Sequence, residues 1–345
     1  MNTRHLHIWR IAQTLVWLIG AAILMALVFW PTVGLHAFWN VFIPVAPALF
    51  VFGIGIWRNI CPMASNALFL RHIGRSKRKP LNAKTQLNLQ WASVWALLII
   101  VPLRHVILDT NGLATAIVIG ALALLAIWAG RHWEWKSAWC SGLCPVHPVE
   151  KLYGLRNAIP SPNAHCTECE QCVEPCPDST AGFHLLHNDL SQSKRELGAL
   201  MVGGFPGFIW GWFHVPNWPD GQGWSHLTEA YGWPFFSMLI SYFLFSILRR
   251  SSLTDHQLAR LSAAAGVSLY YWYRIPALFG HGLFPGDGML IDLSHTLPSW
   301  FTPVSQGVTT AIFFWWLVVS RQRDSSWSAR PPFSKHETLD SNIKC

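Results

Sequence analysis

The dominant pattern along the chain is a series of long apolar stretches separated by short polar ones. A membrane-spanning helix needs about 20 mainly apolar residues. Residues 11–29, 38–56, 91–108, 113–128, 200–215, 231–248, 261–279 and 300–320 meet or approach that length. The pattern predicts an all-α polytopic membrane protein with about eight transmembrane helices. The fifth and seventh stretches are the weakest. One contains Gly203, Gly204, Pro206, Gly207 and Gly211, and the other contains Arg274 and Pro276. Helix breakers are tolerated in a membrane only where neighbours re-satisfy the backbone, so these two are expected inside the bundle. The first stretch is too long for a signal-peptide core and lacks a small-residue cleavage site, so it reads as a retained span.

Composition supports a membrane setting. Hydrophobic residues make up 52% and charged residues only 12%, and there are 21 tryptophans. Soluble domains carry roughly 25% charge, and tryptophan favours the headgroup zone. The net charge of +8 follows from where the basic residues lie, without any nucleic acid. With both termini inside, the inner segments hold Arg58, Arg71, Arg75, Lys77, Arg78, Lys79 and Lys84, and later Arg131, Lys136, Lys151, Arg156, Lys194 and Arg195. Only Arg104 and Arg274 fall elsewhere, and the outer loops 214–230 and 281–299 contain neither Lys nor Arg. This positive-inside asymmetry predicts an N-in, C-in protein of the bacterial inner membrane. The Arg75–Lys79 cluster reads as a topology and lipid-headgroup signal.

The cysteines supply the candidate chemistry. Of eight, six fall between Cys140 and Cys176, a seventh is Cys61, and Cys345 stands apart. Cys166, Cys169, Cys172 and Cys176 form a C-x2-C-x2-C-x3-C-P run, the spacing of bacterial ferredoxins. A tight loop of this kind offers three thiolates to three irons of a cubane, and the proline turns the chain away. Structural zinc takes two C-x2-C pairs set further apart. The run therefore predicts a [4Fe–4S] cluster on the cytoplasmic side. In two-cluster ferredoxins the fourth cysteine of a run ligates the other cluster, so Cys176 points to a second, with Cys140, Cys144 and Cys61 as its candidate partners. Seven cysteines are one short of eight ligands. Either a non-cysteine ligand such as His147 or His165 completes the set, or there is one cluster with spare cysteines. Cys61-Pro62 and Cys144-Pro145 also form an internal repeat: each follows a pair of apolar stretches, and Trp57 stands where Cys140 stands in the second copy.

A C-x3-C-P turn after a membrane hairpin, followed by a cytoplasmic C-x2-C-x2-C-x3-C-P module, resembles the NapH/NosR/MauN-type membrane ferredoxins over about residues 11–180. The resemblance implies cluster ligation by Cys166, Cys169, Cys172 and Cys176, with Cys140 and Cys144 as the Cys-Pro motif. It also implies electron passage between the quinone pool and a partner redox protein. The family has two complete turns and two ferredoxin runs, whereas this chain keeps only Cys61 of the first turn and has one run. The expected organisation is an N-terminal membrane region (1–130), a ferredoxin-like iron–sulfur insertion (131–198), a C-terminal membrane region (199–320) and a disordered cytoplasmic tail (321–345). The expected function is electron relay between the cluster and quinone or a partner subunit. A cluster-based redox sensor and a metalloenzyme maturation factor are the alternatives. No hydrolytic or group-transfer signature is present.

Other residues admit plainer readings. His36, His105, His214, His226, His281 and His295 map to outer ends of the stretches, where imidazole suits the interface. They could equally hydrogen-bond a quinone, but no pairing of depths demands haem. Arg274, inside an apolar stretch, is a functional candidate by its location; the plainer alternative is snorkelling or pairing with an outer Asp such as Asp287 or Asp292. Thr254 and Gln257 read as a capping box.

Overall fold

The computed structural model describes residues 3–156, 164–165, 184–188 and 190–320. Helices α1 (Thr3–Phe29), α2 (Pro31–Leu35), α3 (Ile43–Ile60), α4 (Pro62–His72), α5 (Ala83–Leu103) and α6 (Gly112–His132) form the first half. Then come α7 (His147–Tyr153), α8 (Gln192–Phe213), α9 (Leu227–Leu248), α10 (Asp255–Leu278) and α11 (Phe301–Phe314). No strand occurs among the described residues; a single backbone bridge joins Lys79 to Trp133. Four segments are wound as π-helix: His36–Phe42, Arg104–Leu108, Lys136–Leu143 and Trp315–Val319. Such winding is rare and often marks functional positions.

Six helical segments are long and apolar enough to cross a membrane: His7–Phe29, Pro31–His72, Ala83–Leu108, Gly112–His132, Gly223–Leu248 and Phe301–Val319. The protein is accordingly described as a helical membrane protein. Of the eight expected spans, those at α8 and α10 do not reach this apolarity. Both are nonetheless long helices set deep in the bundle, with Met201, Val202, Phe205, Phe208, Ala263, Ala264 and Val267 at most 3% exposed. By contrast, Phe236, Leu239, Phe243 and Leu244 on α9 are exposed, as a lipid-facing surface requires.

The glycines of α8 explain its position. A Cβ on Gly207 would run into the backbone carbonyl of Ser237 on α9, and one on Gly211 would meet that of Trp233. Small residues let two membrane helices approach this closely, and α8 and α9 make the most extensive helix pairing in the molecule. Helix α10 is locked to α3 differently. The Tyr271 hydroxyl donates to the Pro44 carbonyl at 2.6 Å and accepts from the Ala48 amide at 2.9 Å, entering the backbone ladder of α3 between residues four apart. The expected capping box is present, with Thr254 and Gln257 exchanging hydrogen bonds at the start of α10.

The loop after α4 is fastened to the end of α6. Lys77 N donates to Arg131 O at 2.7 Å, Glu134 N to Lys79 O at 2.9 Å, and Arg71 pairs with Glu134 at 2.8 Å, both side chains 2% exposed. This clamp holds the two Cys-Pro turns side by side.

A candidate cysteine centre and a polar outer chamber

Cys61 and Cys144 adopt nearly the same backbone conformation, with φ −55°, ψ 119° and φ −64°, ψ 117°. The cause is local: a residue preceding proline is pushed out of the helical region. Cys61 ends α3 and Pro62 opens α4, where a proline costs no hydrogen bond. Cys144 likewise ends the π-helical segment Lys136–Leu143, which carries Cys140. The repeat read from the sequence is thus matched in backbone geometry.

The two turns meet. Cys140, 9% exposed, lies in one buried cluster with Ala64, Ala67, Leu68, Trp135 and Trp139, and both Cys61 and Cys144 pack against it. The three cysteines are free thiols. Burial pushes the Cys140 thiol well above its ordinary range, with Arg58 opposing and Cys61 adding to the rise. Burial, reinforced by Cys61, raises Cys144 to about 12. Thiolates here would need nearby positive charge. Arg58 stands closest by sequence, one turn before Cys61, and is buried; its guanidinium pairs with Glu150 and reaches His147 Nδ1 at 3.1 Å. α5 closes the other side: Ser93 Oγ donates to Cys144 O at 2.6 Å and Gln90 to Ser141 O at 3.0 Å.

Cys166, Cys169, Cys172 and Cys176 lie outside the described residues, as do Cys345 and the whole C-terminal tail expected to be disordered. The two residues immediately before the run are described, and they dock on the same centre. Ala164 N donates to Asn59 Oδ1 at 2.9 Å, and the His165 ring meets Trp135 edge-on with centroids 5.3 Å apart. His165 and His147, the candidate non-cysteine ligands, are both buried. Burial, with Lys136 and Arg10 adding, lowers His165 to about 3; burial, then Arg58, holds His147 well below its ordinary value. Both imidazoles are therefore neutral, the form that ligates metals. His147 Nδ1, however, already faces Arg58. Among the described residues, no group of three or more His, Cys, Asp or Glu converges tightly enough to hold a single metal ion. Of the three thiols, Cys140 is buried and Cys61 and Cys144 are partly buried.

At the opposite end of α5 a second polar assembly forms, which sequence patterns did not resolve. Arg104 pairs with Asp109 at 2.7 Å and lies between the rings of Trp39 and Trp212, 4.5 and 5.1 Å from their centroids. Asn217 donates from Nδ2 to Asp109 at 2.7 Å, while its Oδ1 lies 2.6 Å from His105 Nδ1. Arg274 pairs with neither Asp287 nor Asp292, the partners of its plainer reading. It donates to Trp39 O at 2.6 Å and Asn40 Oδ1 at 2.7 Å. Asp287 instead accepts from Asn217 N at 2.7 Å, and Asp292 binds Ser294. The one available signal was that Arg104 and Arg274 alone broke the inside bias of the basic residues; Asn40, Asp109 and Asn217 carried none. Of the outer histidines, only His105 joins this network as a buried member. His226 stacks on Trp218 at 4.8 Å and faces Glu229 at 3.7 Å in an exposed groove of about 570 Å³ at the start of α9.

The fold and these two centres define a class: a polytopic helical membrane protein with a partly buried group of free cysteines. No family model, curated protein or solved structure matches the chain.

Proposed function

We propose that this protein is a membrane-bound electron carrier of the bacterial inner membrane. It holds a [4Fe–4S] cluster on the cytoplasmic side and relays electrons between that cluster and the quinone pool or a partner redox subunit. One observation carries the reading. Residues 164–165, directly ahead of the C-x2-C-x2-C-x3-C-P run, are fastened to Asn59 and Trp135, beside the turns that bring Cys61, Cys140 and Cys144 together. The run thus begins one residue after a segment fastened beside the structural cysteine group. An iron–sulfur group supplies one-electron chemistry when bound.

This chain's own residues would set the conditions. Cys166, Cys169, Cys172 and Cys176 would hold a single cubane, with the cysteines of the two turns as spares; in a two-cluster arrangement Cys176 would instead join those cysteines on the second. Trp135, Trp139 and Leu68 keep water out, and Arg58 supplies buried positive charge next to the thiols. The basic inner loops and the N-in, C-in arrangement belong to the same proposal, as do α8 and α10 as the fifth and seventh spans, shielded inside the bundle. The resemblance to NapH/NosR/MauN-type membrane ferredoxins points the same way.

The test is anaerobic purification followed by iron and acid-labile sulfide analysis and low-temperature EPR after dithionite reduction. Stoichiometric iron and sulfide with a reduced-cluster signal is expected. Zinc without labile sulfide would sink the proposal.

A further inference from the structure

The outer chamber holds two buried arginines whose hydrogen-bonding capacity the protein leaves partly unused. Arg274 is 2% exposed and has no carboxylate partner among the described residues; its acceptors are one backbone carbonyl and one amide oxygen, both reached by Nη2. Its Nε is buried without any acceptor. Arg104 is 4% exposed and spends Nε on Asp109, leaving both of its Nη groups without a hydrogen bond among the described residues.

Both arginines line one cavity of about 40 Å³ together with His105, Asn217, Tyr273 and Asp287. That is room for about three waters or one group of similar size. The carboxylate nearest Arg104 is already committed, because Asp109 accepts from Arg104 with one oxygen and from Asn217 with the other. A buried cation that has only neutral acceptors is costly unless something completes it, and guanidinium matches oxygen acceptors best.

We propose that this chamber is a binding site for an oxygen acceptor, either a small free oxyanion or the carbonyl end of a larger molecule such as a quinone. Arg274 is its principal anchor and Arg104 the second donor. The site stands apart from the cysteine centre. Ser93, which touches Cys144, lies twelve residues before His105 on the same helical rod, about 18 Å along its axis. Loss of any cluster therefore leaves this proposal intact.

The experiment is calorimetric titration of the full chain in lipid nanodiscs. The probes are sodium formate, sodium nitrate and a water-soluble short-chain benzoquinone, with gluconate at matched ionic strength as the bulky control. Saturable binding of formate or nitrate identifies a free oxyanion; saturable binding of the quinone alone identifies a carbonyl ligand. In either case Arg274→Gln should weaken binding about tenfold or more, the loss expected for a hydrogen bond to a charged group. Should that variant fail to fold, Asp287→Asn decides. Its amide oxygen can still accept from Asn217 N, and removing its negative charge should tighten formate or nitrate binding, or leave quinone binding in place. No saturable binding of any probe overturns the proposal. So does oxyanion binding that Asp287→Asn weakens, or binding of any probe that Arg274→Gln leaves unchanged.

Discussion

Replacing Arg58 by Gln would test the electrostatics of the cysteine centre. Arg58 and Glu150 are paired with side chains 9% and 5% exposed, so the substitution removes the strongest cation partner of a buried carboxylate, leaving Lys151 and Lys136 as weaker neighbours. Breaking a buried pair from one side costs about 3–5 kcal/mol. The cost depends on pH with a definite sign. In the native protein burial already raises Glu150 above its ordinary value, despite the opposing pull of Arg58. A carboxyl whose folded pKa is raised contributes fully below its unfolded value and loses that contribution as pH rises through the folded value. Without Arg58 the rise is larger. The variant's deficit should therefore be small at low pH, where Glu150 is protonated in both proteins, and grow as pH rises. The assay is equilibrium unfolding of the purified protein in detergent at several pH values, comparing Arg58→Gln, Glu150→Gln and the double variant. The double variant should recover much of the loss, because neither charge remains. A deficit that is the same at pH 5 and pH 8, with no recovery in the double variant, would refute this account of the pair.

Three further outcomes follow from the packing and the cysteine group. Gly207→Leu places a side chain against the Ser237 carbonyl and should destabilise the α8–α9 pairing by about 1–3 kcal/mol or more, read by thermal unfolding; an unchanged midpoint would contradict the close approach. Tyr271→Phe removes two hydrogen bonds to α3 and should cost about 1 kcal/mol, since Ala48 N can then reach Pro44 O directly; hydrogen exchange at Ala48 would register the change. If the turns ligate a second cluster, Cys144→Ser should lower iron and labile sulfide per chain while Cys345→Ser leaves both unchanged. Cys61→Ser would then report whether the shortened first turn supplies a ligand.

Much of the architecture was legible because membrane helices announce themselves locally. A run of about 20 apolar residues is sufficient reason to span, and the helices at 11–29, 91–108 and 113–128 lie where the apolar runs put them. The capping box at Thr254 and the Cys-Pro repeat were legible for the same reason: a cap and a residue before proline depend on neighbours in the chain. The weakness of α8 and α10 was also visible, since glycine, proline and arginine interrupt them. The partners of Arg274 were not legible: the loop acids near it in sequence do not pair with it, and its acceptors are Trp39 O and Asn40 Oδ1, more than two hundred residues earlier.

By itself, the sequence determined that the chain is a helical membrane protein with a ferredoxin-type cysteine run and two Cys-Pro turns, because hydrophobic length and motif spacing are local properties. Only the tertiary structure decided that Cys61 joins Cys140 and Cys144, that Arg58 is paired beside them, and that two arginines share a chamber at the far end of α5. Those arrangements depend on which helices pack together. Packing is settled by shape and hydrogen bonding between distant segments: a glycine face on α8, a tyrosine set into α3, a clamp between Arg71 and Glu134.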